Sequence, residues 1–225
     1  MKNDFTKTNT FSCPIYKIRI DPNSYDKEKI LNDIKYNKSL KNTRNEAYQI
    51  IGSSATNIHH SYMDFDNEDF RIINYEKLAD VYLKIYKEFF NKELYTTKVS
   101  FNYEFEIVNY SAMTEGQWLP VHNHIEFDDF ATCHYLNFKN DHNLTNFKNP
   151  AIFAPFAKYI QPELNNMMDN MVPDNSYLWE RFTFPVKEDD MIIFPAALDH
   201  EIKPQGLTKE PRITVSSNIN IVEGL

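Results

Sequence analysis

His122 and His124 stand two residues apart in the run Val121-His122-Asn123-His124-Ile125-Glu126. The surrounding pattern predicts a strand, where alternate side chains project from one face, so both imidazoles and the Glu126 carboxylate share that face. Two imidazoles, or an imidazole and a carboxylate, at this spacing can close on one metal ion without distorting the backbone. The same residues also suit an ordinary polar strand face, and ligand type alone does not choose between the two. Further along, Asp189-Asp190-Met191-Ile192-Ile193-Phe194-Pro195 reads as an apolar strand introduced by two acids and stopped by proline. His200 opens the next strand and Arg212 the last. An arginine at a strand start is commonly a solvated edge charge. Here Arg212, Thr214, Ser216 and Asn218 form an unbroken polar row on one face of an apolar-backed strand. In a barrel, a wholly polar inward row lines a wet cavity, not a packed core.

These residues need a frame. Tyr75, Leu78, Ala79, Tyr82, Ile85, Tyr86 and Phe89 recur at three- and four-residue steps, which predicts one amphipathic helix of about four turns. A shorter helix is expected after Ser24, acting as N-cap, with Ile30, Leu31 and Ile34 turned inward. From Lys98 onward the pattern is β: Phe101 to Tyr110, Gln117 to Glu126, Ala131 to Phe138, Phe182 to Val186, Met191 to Pro195 and Arg212 to Val222. Turn-forming Asn, Asp, Pro and Gly separate these runs, as in a sandwich or small barrel. Residues 156–175 interrupt the series and read as an insertion near one mouth, with Met167, Met168 and Met171 as its apolar cover.

Composition excludes several classes. The 225 residues are 42% hydrophobic and 25% charged, with a formal net charge of −8. That balance argues against a duplex nucleic-acid partner. The four glycines lack the spacing of a phosphate-cradling loop. Two cysteines, Cys13 and Cys133, make neither a disulfide framework nor a zinc ribbon, and Cys133 reads as a small core residue. No apolar run is long enough for a membrane span, and the first residues lack a signal-peptide core. A cytoplasmic protein is the expectation.

Taken together, the motifs resemble those of the iron(II)- and 2-oxoglutarate-dependent oxygenases, in particular the prolyl-hydroxylase-like branch and its phage-type members. The resemblance spans roughly Asn102 to Val222 and rests on order and spacing as well as residue type. Its pieces are Val108-Asn109-Tyr110, Gly116-Gln117-Trp118-Leu119-Pro120-Val121-His122, Ala131-Thr132-Cys133-His134-Tyr135-Leu136-Asn137, Met191-Ile192-Ile193-Phe194-Pro195, His200 and Arg212-Ile213-Thr214-Val215. It implies a mainly β fold, a double-stranded β-helix (jelly roll, cupin-like) braced by N-terminal helices. The whole chain, 1–225, is then one oxygenase domain: a strand and supporting helices over 1–97, and the β-helix core over 98–225. It further implies His122 and His200 as iron ligands, Arg212 and Tyr135 on the far carboxylate of 2-oxoglutarate, and Tyr110 near substrate and co-substrate. Thr214 joins them in the co-substrate pocket. Cofactors follow as Fe(II), 2-oxoglutarate and O2; the substrate is a peptide, protein or small molecule, with a prolyl residue as first candidate and no membrane or nucleic-acid partner.

One departure stands out. The family pattern is His-x-Asp, whereas this chain has His122-Asn123-His124. Either His124 takes the carboxylate's place, giving the triad His122, His124 and His200, or the register is His124-x-Glu126 with His122 behind it. Glu126, Asp128 or Asp129 could offset the charge that a three-imidazole set leaves uncompensated. A non-catalytic cupin-like module holding a metal or small acid is the competing class, and the Arg212–Tyr135 clamp separates the two. His134 should face away from Tyr135, and His59-His60 fall in a loop without an assigned role.

Overall fold

In β11 (Arg212–Val222), Ile213, Val215 and Ile219 alternate with the polar row and pack on one side of the strand. This period of two decides which face of the sheet is wet. The computed structural model of the protein describes residues 6–10, 13–40, 59–60, 68–94, 102–125, 128–151 and 180–222. The other strands among them are β1 (Thr6–Thr10), β2 (Cys13–Arg19), β3 (His59–His60), β4 (Asn102–Met113) and β5 (Leu119–His122). They continue with β6 (Phe130–Asn137), β7 (Thr145–Lys148), β8 (Arg181–Thr183), β9 (Asp190–Pro195) and β10 (His200–Ile202). The helices are α1 (Lys27–Ser39) and α2 (Glu76–Phe89). A seven-stranded sheet runs β1-β2-β9-β6-β11-β4-β3 and a four-stranded sheet runs β5-β10-β7-β8, every pairing antiparallel. The fold is mainly β, a double-stranded β-helix of the jelly-roll kind with supporting helices. Among the described residues no helix is long and apolar enough to cross a membrane.

β9 lies centrally and is covered on both faces. Met191 and Ile193 join the core under the helices, while Ile192 and Phe194 join the core between the sheets. α2 supplies Leu78, Tyr82, Ile85, Tyr86 and Phe89 to the first core, as its apolar stripe dictates. Burying a side chain of this size stabilises the fold by about 1.5–3 kcal/mol. Phe89→Ala would open a cavity and cost about 3–5 kcal/mol.

Several boundaries differ from expectation. Ser24 closes a short 3-10 turn, Pro22–Ser24, which Asp21 caps by accepting from Asn23 N at 2.9 Å; α1 begins at Lys27 instead. His59 and His60 lie on the edge of the large sheet, opposite Ala112 and Ser111 of β4, not in a loop. In the described part of the run from Gln117 to Glu126 the strand covers Leu119–His122, and in the run from Phe182 to Val186 it covers only Phe182 and Thr183, the end of Arg181–Thr183. Asp189 has φ 67 in the turn before β9. Its N–H donates to Tyr135 O at 2.7 Å and its carbonyl accepts from Ile20 N at 2.9 Å, so this left-handed residue ties β6 to the chain leaving β2. The expected insertion at 156–175 lies outside the described residues.

Candidate metal centre

β5 and β10 are both short, and they pair with His122 directly opposite His200. The two ring centroids are 4.2 Å apart. His124 lies just past the end of β5, so strand alternation is not what presents it. Instead its N–H donates to Ala196 O at 2.9 Å and its carbonyl accepts from Asp128 N at 3.1 Å, and this turn returns the ring to its neighbours. Its centroid lies 5.4 Å from that of His122 and 5.4 Å from that of His200. One ligand atom from each of the three lies within 4.8 Å of the others. The triad can hold a metal ion.

The tautomers are set by local backbone. His122 Nδ1 donates to Pro120 O at 2.8 Å, and His200 Nδ1 donates to Leu198 O at 3.0 Å. A carbonyl only accepts, so each Nδ1 carries the proton and each Nε2 keeps a free lone pair. Burial is the first cause that lowers the pKa of all three imidazoles. In His124 it works with the repulsion of His122 and brings the value to about 4. His200 falls well below its ordinary value, packed beside Phe194 and Phe147 at centroid distances of 4.9 and 5.9 Å. At neutral pH all three are unprotonated donors, so a metal need displace no proton. Three imidazoles suit iron, nickel, copper or zinc.

The triad opens on a cavity of about 550 Å³. Thr214, Ser216 and Asn218 of the polar row read from the sequence line it, together with Asn220, whereas Arg212 is not part of the lining. Cys133 is half-buried, packed against the core between the sheets and reaching the cavity wall. Thr214 Oγ1 and Ser111 Oγ are hydrogen-bonded at 2.9 Å across β11 and β4.

Arg212 begins the same row and is fully buried. Its Nε donates to Asn143 O at 3.1 Å and its Nη2 to Thr145 Oγ1 at 3.2 Å; Nη1 faces Met113 Sδ at 3.8 Å. Among the described residues no carboxylate lies within 4.0 Å of it. Tyr135 is equally buried, with its ring 5.1 Å from the guanidinium carbon and its hydroxyl 2.7 Å from Thr145 Oγ1. Thr145 reaches the cavity wall and joins the two. Sequence reasoning missed Thr145; the short run Thr145–Lys148 carries no pattern that would single it out.

Tyr110 differs from its expected place. Asn109 and Ser111 face the cavity, so Tyr110 between them faces the helices, with Asn37 Nδ2 at 3.4 Å from its hydroxyl. Alternation along β4 turns it away from the cavity. Glu126, the alternative ligand, lies outside the described residues. His134 points away from Tyr135, as expected, and is buried against α2 with Nδ1 2.9 Å from Tyr82 Oη.

No family model and no curated relative matches the chain. Solved structures similar to it include 2-oxoglutarate–Fe(II) oxygenases. An oxidoreductase of that family from Burkholderia pseudomallei aligns with TM-score 0.43 and 10% identity, over 96% of this chain and 73% of its own. A prolyl-4-hydroxylase from Pseudomonas putida aligns with TM-score 0.46 and 8% identity, over 97% and 94%. A prolyl hydroxylase from Trichoplax adhaerens, solved with a peptide fragment of hypoxia inducible factor, aligns with TM-score 0.47 and 10% identity, over 97% and 84%.

Proposed function

We propose that the protein is an Fe(II)- and 2-oxoglutarate-dependent dioxygenase that hydroxylates a C–H bond, with the chain 1–225 working as one domain. The observation that carries this reading is Arg212. A fully buried guanidinium without an anionic partner among the described residues is unfavourable as it stands. A carboxylate arriving there would meet a fork-shaped donor with Thr145 and Tyr135 Oη beside it. A wall residue, Thr145, joins this end to the cavity that the histidine triad opens on. A dicarboxylate that binds a metal through one end and an arginine through the other fits that division.

His122, His124 and His200 would hold the iron, and their neutral, lone-pair-bearing imidazoles fit a divalent cation. Bound there, iron(II) with 2-oxoglutarate and O2 supplies the oxidation, with succinate and CO2 as co-products. The protein's own part is to bind and orient. Three ligands on one side leave further coordination positions for oxygen donors. Arg212, Tyr135 and Thr145 fix the far carboxylate, and Phe194 and Phe147 exclude water from His200. The cavity lies in the ~300–1,000 Å³ range of small-ligand pockets.

A prolyl residue of a peptide is the first substrate to test, on the strength of the motif resemblance. Succinate formation is measured with Fe(II), 2-oxoglutarate and O2, with and without prolyl peptides. Peptide-stimulated succinate supports the full reading. Iron-dependent succinate that no prolyl peptide stimulates redirects the substrate. Absence of any turnover favours a binding module.

A further inference from the structure

Two of the three histidines have their rings fixed by a carbonyl on Nδ1, whereas His124 has no side-chain bond of that kind among the described contacts. Its direction therefore depends on the chain around it. The β5–β10 ladder is weak support. It holds two register pairs, His200 with His122 and Ile202 with Leu119, and the register shifts between them. Past His122 the ladder ends, and Asn123 and Asp199 fall opposite one another at the next position of the antiparallel register. Here a side-chain bond takes over: Asn123 Nδ2 donates to Asp199 Oδ1 at 2.8 Å. Asp199 is itself held, its carbonyl accepting from Lys148 N at 2.8 Å, so β7 anchors the acceptor side. Asn123 Oδ1 accepts from Ile125 N at 3.4 Å, a weak second contact within the same turn.

We propose that Asn123 and Asp199 are positioning residues: a side-chain clamp joining the residue between His122 and His124 to the residue before His200, which holds the three ligands at metal-binding separation. The clamp replaces the backbone pairing that β5 lacks beyond His122. It acts on the angle between the segments, not on the folding of either sheet, because the bond is exposed and neither residue belongs to a core. The proposal rests on the metal reading above. Bonds that orient metal ligands matter by about ten- to a hundredfold in metal affinity.

The test uses the full chain, metal-free, titrated with Co(II) and followed by its visible absorption bands and by calorimetry. Wild type takes up one Co(II). Asn123→Ala and Asp199→Ala each weaken Co(II) about ten- to a hundredfold and shift the bands. The double variant is no worse than either single, because both remove the same bond. Asp199→Asn keeps an acceptor oxygen facing Asn123 and stays within a few-fold of wild type. Metal-free melting temperatures of all variants stay at the wild-type value, which separates positioning from folding. Wild-type Co(II) affinity in Asn123→Ala overturns the clamp, as do additive losses in the double variant. Equal losses in Asp199→Asn and Asp199→Ala overturn it as well, since charge and not the bond would then be at work. A wild type that binds no Co(II) overturns the metal reading itself, an outcome distinct from the other three.

Discussion

Arg212 Nη2 and Tyr135 Oη converge on one atom, Thr145 Oγ1, at 3.2 and 2.7 Å. A single threonine hydroxyl thus joins a buried cation on β11 to a buried phenol on β6 at the cavity wall. Burial by the surrounding core is the first cause that keeps the Tyr135 phenol protonated far above its ordinary range, so it remains a donor at any working pH. This grouping is the one to which the proposed reading assigns the far carboxylate of 2-oxoglutarate.

Arg212→Lys and Arg212→Ala should raise the 2-oxoglutarate requirement while leaving iron affinity near wild type. A charge-assisted pair contributes about 1.5–3 kcal/mol, or roughly ten- to a hundredfold. Lysine restores only part, because it lacks the fork. KM for 2-oxoglutarate measured against iron affinity reads the split; equal damage to both would mean that Arg212 supports the metal site instead.

A related sign follows for stability. Arg212→Met removes a buried charge that lacks a carboxylate, so the ligand-free variant should melt at or above the wild-type temperature. With Fe(II) present in both, anaerobic addition of 2-oxoglutarate should stabilise wild type more than the variant. Thermal melts with and without the dicarboxylate check both halves.

The third ligand can be read by substitution. His124→Asp restores a short carboxylate at the position where the resembled family carries one, and should keep Co(II) within about tenfold. His124→Ala removes a donor and should lose far more. Equal Co(II) affinity in wild type and both variants would remove His124 from the ligand set.

The pH dependence of folding has a definite sign. Burial holds folded His134 neutral down to about 3, whereas the unfolded residue protonates near its ordinary value of about 6.5. Between those values the unfolded state binds the extra proton, so stability is fully present above about pH 6.5 and falls toward pH 3. Urea unfolding of metal-free wild type at pH 6.5 and 5 should show the loss. His134→Gln should show a loss smaller by about 1.6 kcal/mol, one group over that interval. A variant that tracks wild type would place the pH response elsewhere.

The turn at Asp189 makes a packing prediction. Lys27 is almost fully buried and paired with Asp189 and Glu188. Asp189→Ala leaves that ammonium short of a partner and puts a plain β-carbon at φ 67, costing about 3 kcal/mol. Asp189→Asn tolerates the backbone better and should cost less. Denaturant midpoints of the two variants test the order.

Arg212–Val222 was legible because its apolar residues alternate with a polar row, and Thr214, Ser216 and Asn218 announced a wet wall. Met191–Pro195 was legible for another reason, an unbroken apolar run that the fold covers on both faces. The hairpin β1–β2 was not legible: Thr6–Thr10 reads Thr-Lys-Thr-Asn-Thr, with no apolar face to detect, and its pairing to the core comes through β2 and β9. Tyr110 was misplaced because a motif gives an order of residues but not the phase of the strand; its neighbours Asn109 and Ser111 are the ones facing the cavity. His124 shows the reverse case. Its ring lies beside His122 and His200 although the strand ends at His122, because a turn pinned to Ala196 O does what strand alternation was expected to do. The Asn123–Asp199 bond and the role of Thr145 depend on side chains brought together only by the closed fold.

The central claim is that one cavity holds a metal at one end and a dicarboxylate at the other through Arg212. Anaerobic calorimetry of 2-oxoglutarate into the Fe(II)-loaded protein tests it most directly. The account predicts one 2-oxoglutarate per chain, binding that requires the metal, and a loss of about ten- to a hundredfold in Arg212→Met. Absence of binding to wild type, or undiminished binding in Arg212→Met, would contradict it.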